Sequence, residues 1–180
     1  MSAHSTLLER NQQIAETFEH ADMPAFPKMN TMVLACVDPR IDPAYVLGIE
    51  LGEALVVRNN GGRVTPAFID ELAALAAMVK RMSGSSESPR FSVILMQHTH
   101  CGAQSFANPD FAAELKATID VDVSASAITD QETDLIKDID RLKAAGKVPG
   151  SVTVSAVLYD VHTGLAQEIA APQTLDELRS

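Results

Sequence analysis

Two apolar runs end in metal-ligand residues. Met32-Val33-Leu34-Ala35 leads into Cys36-Val37-Asp38-Pro39-Arg40, and Phe91-Ser92-Val93-Ile94-Leu95-Met96 leads into Gln97-His98-Thr99-His100-Cys101-Gly102. Runs this short read as buried strands. In a doubly wound α/β sheet, ligands collect beyond the carboxyl ends of the strands, so these two strands can bring Cys36, His98 and Cys101 together. Two thiolates and one imidazole form a donor set that suits zinc. Three protein ligands leave a fourth tetrahedral position open, the arrangement of catalytic rather than structural zinc.

The remaining pattern supplies the elements such a sheet requires. Residues 5–20 carry Leu7, Leu8, Ile14, Ala15 and Phe18 at helical spacing, which predicts an amphipathic helix. Pro24 and Pro27 then oppose a helix and make residues 21–28 an arm. Asp42-Pro43 starts a short helix, a second strand follows over 54–57, and Arg58-Asn59-Asn60-Gly61-Gly62 reads as a turn-rich loop. A long Ala-rich helix is expected over 66–82, a surface loop over 83–89 and a third strand over 91–97. Helical patterns cover 109–119 and 129–145, and two last strands, 151–159 and 165–170, join through a turn.

Strands alternating with helices predict an α/β fold, a mostly parallel sheet of about five strands with an antiparallel C-terminal edge strand and an N-terminal arm helix. The domain reading is residues 1–28 as arm and oligomer contact, and 29–180 as a zinc-binding α/β domain. With 24 Asp and Glu against 14 Lys and Arg, the chain carries a net charge of -10, which opposes nucleic acid as a partner. No apolar run is long enough for a membrane span, and the first residues lack a basic region followed by an apolar core. A cytoplasmic location is therefore expected, where the 2 cysteines read as metal-binding or catalytic rather than disulfide-bonded.

The pair Cys-x-Asp-x-Arg at Cys36 to Arg40 and His-x-x-Cys-Gly at His98 to Gly102 resembles the β-class carbonic anhydrases. The resemblance extends through Leu47-Gly48-Ile49-Glu50-Leu51-Gly52-Glu53-Ala54 and Val57-Arg58-Asn59-Asn60-Gly61-Gly62, and more loosely to Tyr159-Asp160-Val161 and Gly164. It implies one zinc per chain on Cys36, His98 and Cys101, and reversible hydration of carbon dioxide to bicarbonate by zinc-bound hydroxide. It further implies that Arg40 restrains Asp38, that Asp38 orients the nucleophile, and that the Gly102 N–H donates to substrate oxygen. An N-terminal helix that embraces a second subunit is also implied, giving a homodimer or higher even oligomer with the zinc site near its interface.

Three functions compete on this pattern: carbon dioxide hydration, hydrolysis of carbonyl sulfide or carbon disulfide on the same scaffold, and nonenzymatic zinc-binding or thiol-redox behaviour. An Asp-x-Arg pair beside the metal argues against the last, since a structural site needs none. Asp38 and Arg40 also admit a purely structural reading, as an ion pair that pins a loop. Pro39 stands where the family commonly has Ser or Ala. His100 occupies a variable position and reads as an ordinary imidazole ahead of a proton relay, and His162 as a surface residue. The chain has no Trp, and so lacks the one that helps form the noncatalytic bicarbonate pocket in allosteric relatives.

Overall fold

A computed structural model describes residues 2–83 and 90–180. The elements are α1 (Ala3–Ala15), β1 (Thr31–Cys36), α2 (Pro43–Val46), β2 (Ala54–Asn59), α3 (Pro66–Ser83), β3 (Phe91–His98), α4 (Pro109–Ile119), α5 (Gln131–Ala144), β4 (Val152–Tyr159), β5 (Ala166–Thr174) and α6 (Leu175–Arg179). Five strands form one sheet in the order β2-β1-β3-β4-β5. The first three pairings are parallel and β4–β5 is antiparallel. The α/β fold is as expected from the alternation of strand and helix signals.

The chain passes from β1 outward to β2 and then returns to the other side of β1 to lay down β3, so the winding direction reverses between β1 and β3. Ala35 lies opposite Met96 in that pairing, and both strands run out at the same edge of the sheet. A crevice at a topological switch point follows from this connectivity.

Alternation along the strands divides the core. Met32, Leu34, Val93 and Leu95 face Phe68 and Leu72 of α3 and Leu135 and Leu142 of α5. Val33, Ala35, Cys36 and Met96 face the other way, toward Ile41, Cys101, Ala103 and Ile128. Every residue of β1 is buried, as expected of a central strand covered on both faces.

The structure moves several boundaries. α1 ends at Ala15 rather than His20 and buries no residue, so no packing sustains the last turn through Thr17 and Phe18. Arg58 and Asn59, expected in a loop, belong to β2 because they pair with Ala35 and Cys36. β5 continues beyond Ala170, with Pro172 at a shift of register where its missing N–H costs no ladder bond. α6 lies beyond all expected elements. Its capping box, Thr174 with Glu177, is present in the sequence, and Leu175 is fully buried beneath it. The loop expected over 83–89 lies, after its first residue, outside the described residues.

Candidate metal centre

Cys36 is the last residue of β1 and His98 the last of β3. Cys101 returns to them because His100 takes a left-handed conformation (φ 54°), which reverses the chain within the His-x-x-Cys spacing. All three side chains are buried, and one ligand atom from each lies within 4.8 Å of the others.

The geometry fits zinc. Tetrahedral coordination with Zn–S bonds of about 2.3 Å separates two sulfurs by about 3.8 Å, and Cys36 Sγ lies 3.7 Å from Cys101 Sγ. His98 Nδ1 donates to the Thr99 carbonyl at 3.0 Å, which fixes the tautomer and leaves Nε2 with its lone pair. Nε2 is buried and has no hydrogen-bond partner. A buried acceptor without a donor is costly in a protein of ordinary packing, and a cation removes that cost. The Cys36 thiol is pushed down to about 4, first by the hydrogen bond from Cys101, and Cys101 is pushed up by the same bond and by burial. A cation can take the place of the hydrogen bond between the two sulfurs.

Asp38 and Arg40 lie beside this cluster as a bidentate pair. Asp38 Oδ1 accepts from Arg40 Nε at 2.9 Å and Oδ2 from Arg40 Nη2 at 2.7 Å, while the Arg40 N–H caps the carboxylate at 2.9 Å. Arg40 Nη2 also donates to the His100 carbonyl at 3.0 Å, which ties the dyad to the turn between His98 and Cys101. The Arg40 side-chain hydrogen bond holds the Asp38 carboxyl down to about 2. Asp38 Oδ2 remains 3.9 Å from His98 Nε2, close enough to face whatever occupies the cluster. Pro39 fits here because it starts a short 3-10 turn, Pro39–Ile41, where an N–H would have no internal partner.

Two arginines support the site in ways that no local signal predicts. Arg58 reaches across from β2, donating to the Cys36 carbonyl at 2.9 Å and to the Asp38 carbonyl at 2.7 Å, and so fixes the backbone on either side of Val37. Arg63 is 2% exposed and forks onto Asp138 of α5, with Nε to Oδ2 at 2.7 Å and Nη2 to Oδ1 at 3.2 Å, and also donates to the Ala127 carbonyl. Burial pushes the Asp138 carboxyl up, against the pull of Arg63. Between these arginines lie Gly61 and Gly62, both at positive φ beneath the cluster. An arginine in a polar-looking loop carries no sequence signal of burial, so only the partners on α5 reveal Arg63.

The open side of the cluster is a cleft of ≈ 180 Å³ lined by Cys36, Val37, Asp38, Asn60, Gly61, Gly102, Ala103 and Phe106. Gly102 heads the 3-10 helix Gly102–Ala107, and a β-carbon there would meet nothing within 4 Å. The cleft therefore has room for a small molecule beside a buried S2N donor set and an ionised carboxylate.

A mostly parallel sheet with a Cys-His-Cys cluster at its switch point that could hold a metal ion, and an Asp–Arg pair on its rim, has the form of an enzyme site. The sequence profile of the carbonic anhydrase family matches residues 31–145, and the chain belongs to that family, in its β class. It is 29% identical over 171 residues to β-carbonic anhydrase 1 of Mycobacterium tuberculosis, covering 94% of this chain and 99% of that protein. The crystal structure of the carbonic anhydrase from Streptococcus mutans superposes with a TM-score of 0.77 at 32% identity, over 94% of this chain and 98% of that one. A carbon disulfide hydrolase of Saccharolobus solfataricus is 26% identical over 160 residues, covering 73% of this chain and 72% of that protein.

Proposed function

We propose that this protein catalyses the reversible hydration of carbon dioxide to bicarbonate, with one zinc per chain on Cys36, His98 and Cys101. The observation that carries this reading is the Asp38–Arg40 fork placed against a three-ligand cluster. Zinc on this donor set supplies Lewis acidity that makes water a nucleophile near neutral pH. Asp38, kept ionised by Arg40, would accept a hydrogen bond from an attacking water and orient it, and the fork would hold the carboxylate back from a bound ion. Phe106 and Val37 wall the cleft with apolar surface suited to an uncharged substrate, and the Gly102 N–H donates to a substrate oxygen.

A second reading has its own support: the similarity to a carbon disulfide hydrolase is consistent with turnover of carbonyl sulfide or carbon disulfide at the same residues. Oxygen accepts a hydrogen bond from Gly102 more strongly than sulfur does, which favours carbon dioxide. The nonenzymatic reading leaves the dyad only a structural role, pinning the loop after β1 to the His100 carbonyl.

The assembly proposed is a homodimer or higher even oligomer. α1 leaves Leu7, Leu8 and Ile14 more than half exposed within one chain, an apolar face that a second copy covers. No helix among the described residues is long and apolar enough to cross a membrane, and two free cysteines suit a reducing, cytoplasmic setting.

The deciding experiment is stopped-flow hydration of carbon dioxide by the zinc-loaded protein beside assays on carbonyl sulfide and carbon disulfide. The expected result is kcat/KM for carbon dioxide well above that for either sulfur compound. A sulfur substrate turned over ten times faster than carbon dioxide would replace the first reading with the second, and no turnover of any of them would refute both.

A further inference from the structure

His100 and His162 belong to different turns, one between β3 and Cys101 and the other between β4 and β5. Their imidazoles meet at the surface with ring centroids 4.8 Å apart and planes at 72°. Both residues are exposed. No ring nitrogen of either residue makes a hydrogen bond among the described residues, and the charge of His162 acts on the neighbouring Asp160 carboxyl.

We propose that His100 and His162 form an accessory bidentate site for a divalent transition ion of borderline softness, with zinc, copper and nickel as the chemical class. The first support is geometric. A metal–nitrogen bond of about 2.0–2.1 Å puts each ring centroid roughly 3.2 Å from the ion. Two such rings are about 4.5 Å apart when the nitrogens subtend a right angle, and about 5.2 Å apart at the tetrahedral angle. The observed 4.8 Å falls between these limits, within the wider range that edge-to-face ring packing also allows.

The second support is preorganisation. The two turns are joined beside both histidines, for Thr99 N donates to the Tyr159 carbonyl at 3.0 Å and Val161 N donates to Thr99 Oγ1 at 3.1 Å. His162 is fixed from behind by Asp160, whose Oδ1 accepts from the N–H of His162 at 2.8 Å and of Thr163 at 2.9 Å. The His100 carbonyl is held by Arg40. Both backbones are thus fixed before an ion arrives, and water fills the remaining coordination positions. The net charge of -10 draws cations toward such a site.

This site is distinct from the Cys36–His98–Cys101 cluster, so it is tested on full-length protein that already holds one zinc per chain. Further zinc is titrated by calorimetry, while the histidine ring signals are followed by NMR. The expected result is a second, weaker zinc per chain, with the rings of His100 and His162 shifting together. His162→Ala and His100→Asn each weaken this second step by ~10-fold or more, the scale on which even supporting groups act; His162→Ala retains the first zinc, and His20→Ala leaves both steps unchanged. A second zinc that binds His162→Ala as well as wild type would place the ion elsewhere and overturn the proposal. Absence of any second zinc in the wild type would also overturn it, leaving the contact as edge-to-face ring packing only.

Discussion

Gly62 lies so close beneath Cys36 that a β-carbon on it would come within 2.8 Å of the Cys36 backbone nitrogen and 2.9 Å of the Met96 carbonyl oxygen. Its φ of 63° already favours glycine. The loop after β2 can therefore wedge between the ends of β1 and β3, under the strand that carries the first thiolate. Gly62→Ala is expected to destabilise the fold by at least ~1–2 kcal/mol from the left-handed backbone alone, with the clash in addition. Urea unfolding measures this, and zinc content should fall in the same variant because Cys36 must move.

Metal retention and catalysis should separate by residue. Cys36→Ser and His98→Ala each remove a ligand of the proposed site, and elemental analysis should find the zinc lost along with the activity. Asp38→Ala and Arg40→Ala keep all three ligands, so zinc should stay while turnover falls by roughly 10²-fold or more, the scale of a positioned acid–base group. Wild-type turnover in Asp38→Ala would remove the dyad from the mechanism.

Acid should reveal the same pair through stability. The Asp38 carboxyl is held down to about 2 by the Arg40 hydrogen bond, so the folded state resists protonation there more than the unfolded state does. Its contribution is fully present above the ordinary carboxylate value and is lost as pH falls from about 4 toward 2. Arg40→Ala should therefore reduce the stability difference between pH 5 and pH 2, which thermal unfolding across that range measures. An unchanged difference would mean that the fork seen between Asp38 and Arg40 does not govern this carboxyl.

Arg63 and Asp138, 2% and 0% exposed, form a buried ion pair at 2.7 Å, within a network in which Arg141 also donates to Asp138 at 2.8 Å and Asp134 lies 3.7 Å from Arg63. Asp138→Ala leaves the buried Arg63 with only Asp134 and the Ala127 carbonyl as partners and should cost up to about 3–5 kcal/mol. Replacing both, as in Arg63→Met with Asp138→Leu, should recover much of that loss. A double-mutant cycle followed by denaturant unfolding is the check, and additive single effects would show that the pair is not coupled.

Deletion of residues 2–23 removes α1 and its exposed apolar residues. Sedimentation should find the dimer weakened, and zinc-loaded activity reduced if the interface borders the cleft. A wild-type chain that sediments as a monomer at micromolar concentration would rule out the proposed role of the helix.

The sequence alone specified most of the elements and the candidate ligand residues, because both are local signals. Apolar runs of strand length ending in Cys36 and His98 point to a sheet edge, and the His-x-x-Cys spacing needs only one reversed residue to place Cys101. Helix α4 is found at 109–119 as expected, since Asn108 and Pro109 define its start chemically. Even α6 was written locally, in the capping box of Thr174 and Glu177, though too short to stand out by periodicity.

Only the tertiary structure decided what supports the site. Arg58 was placed in the β2 strand by pairing with Ala35, and that register aims it at the carbonyls of Cys36 and Asp38. Arg63 became a buried strut because α5 crosses the sheet with Asp138 facing it, a meeting of residues 75 positions apart. His100 met His162 for the same reason, through turns at the ends of neighbouring strands β3 and β4. Local chemistry names the residues that can bind or cap, whereas long-range pairing decides which of them face one another.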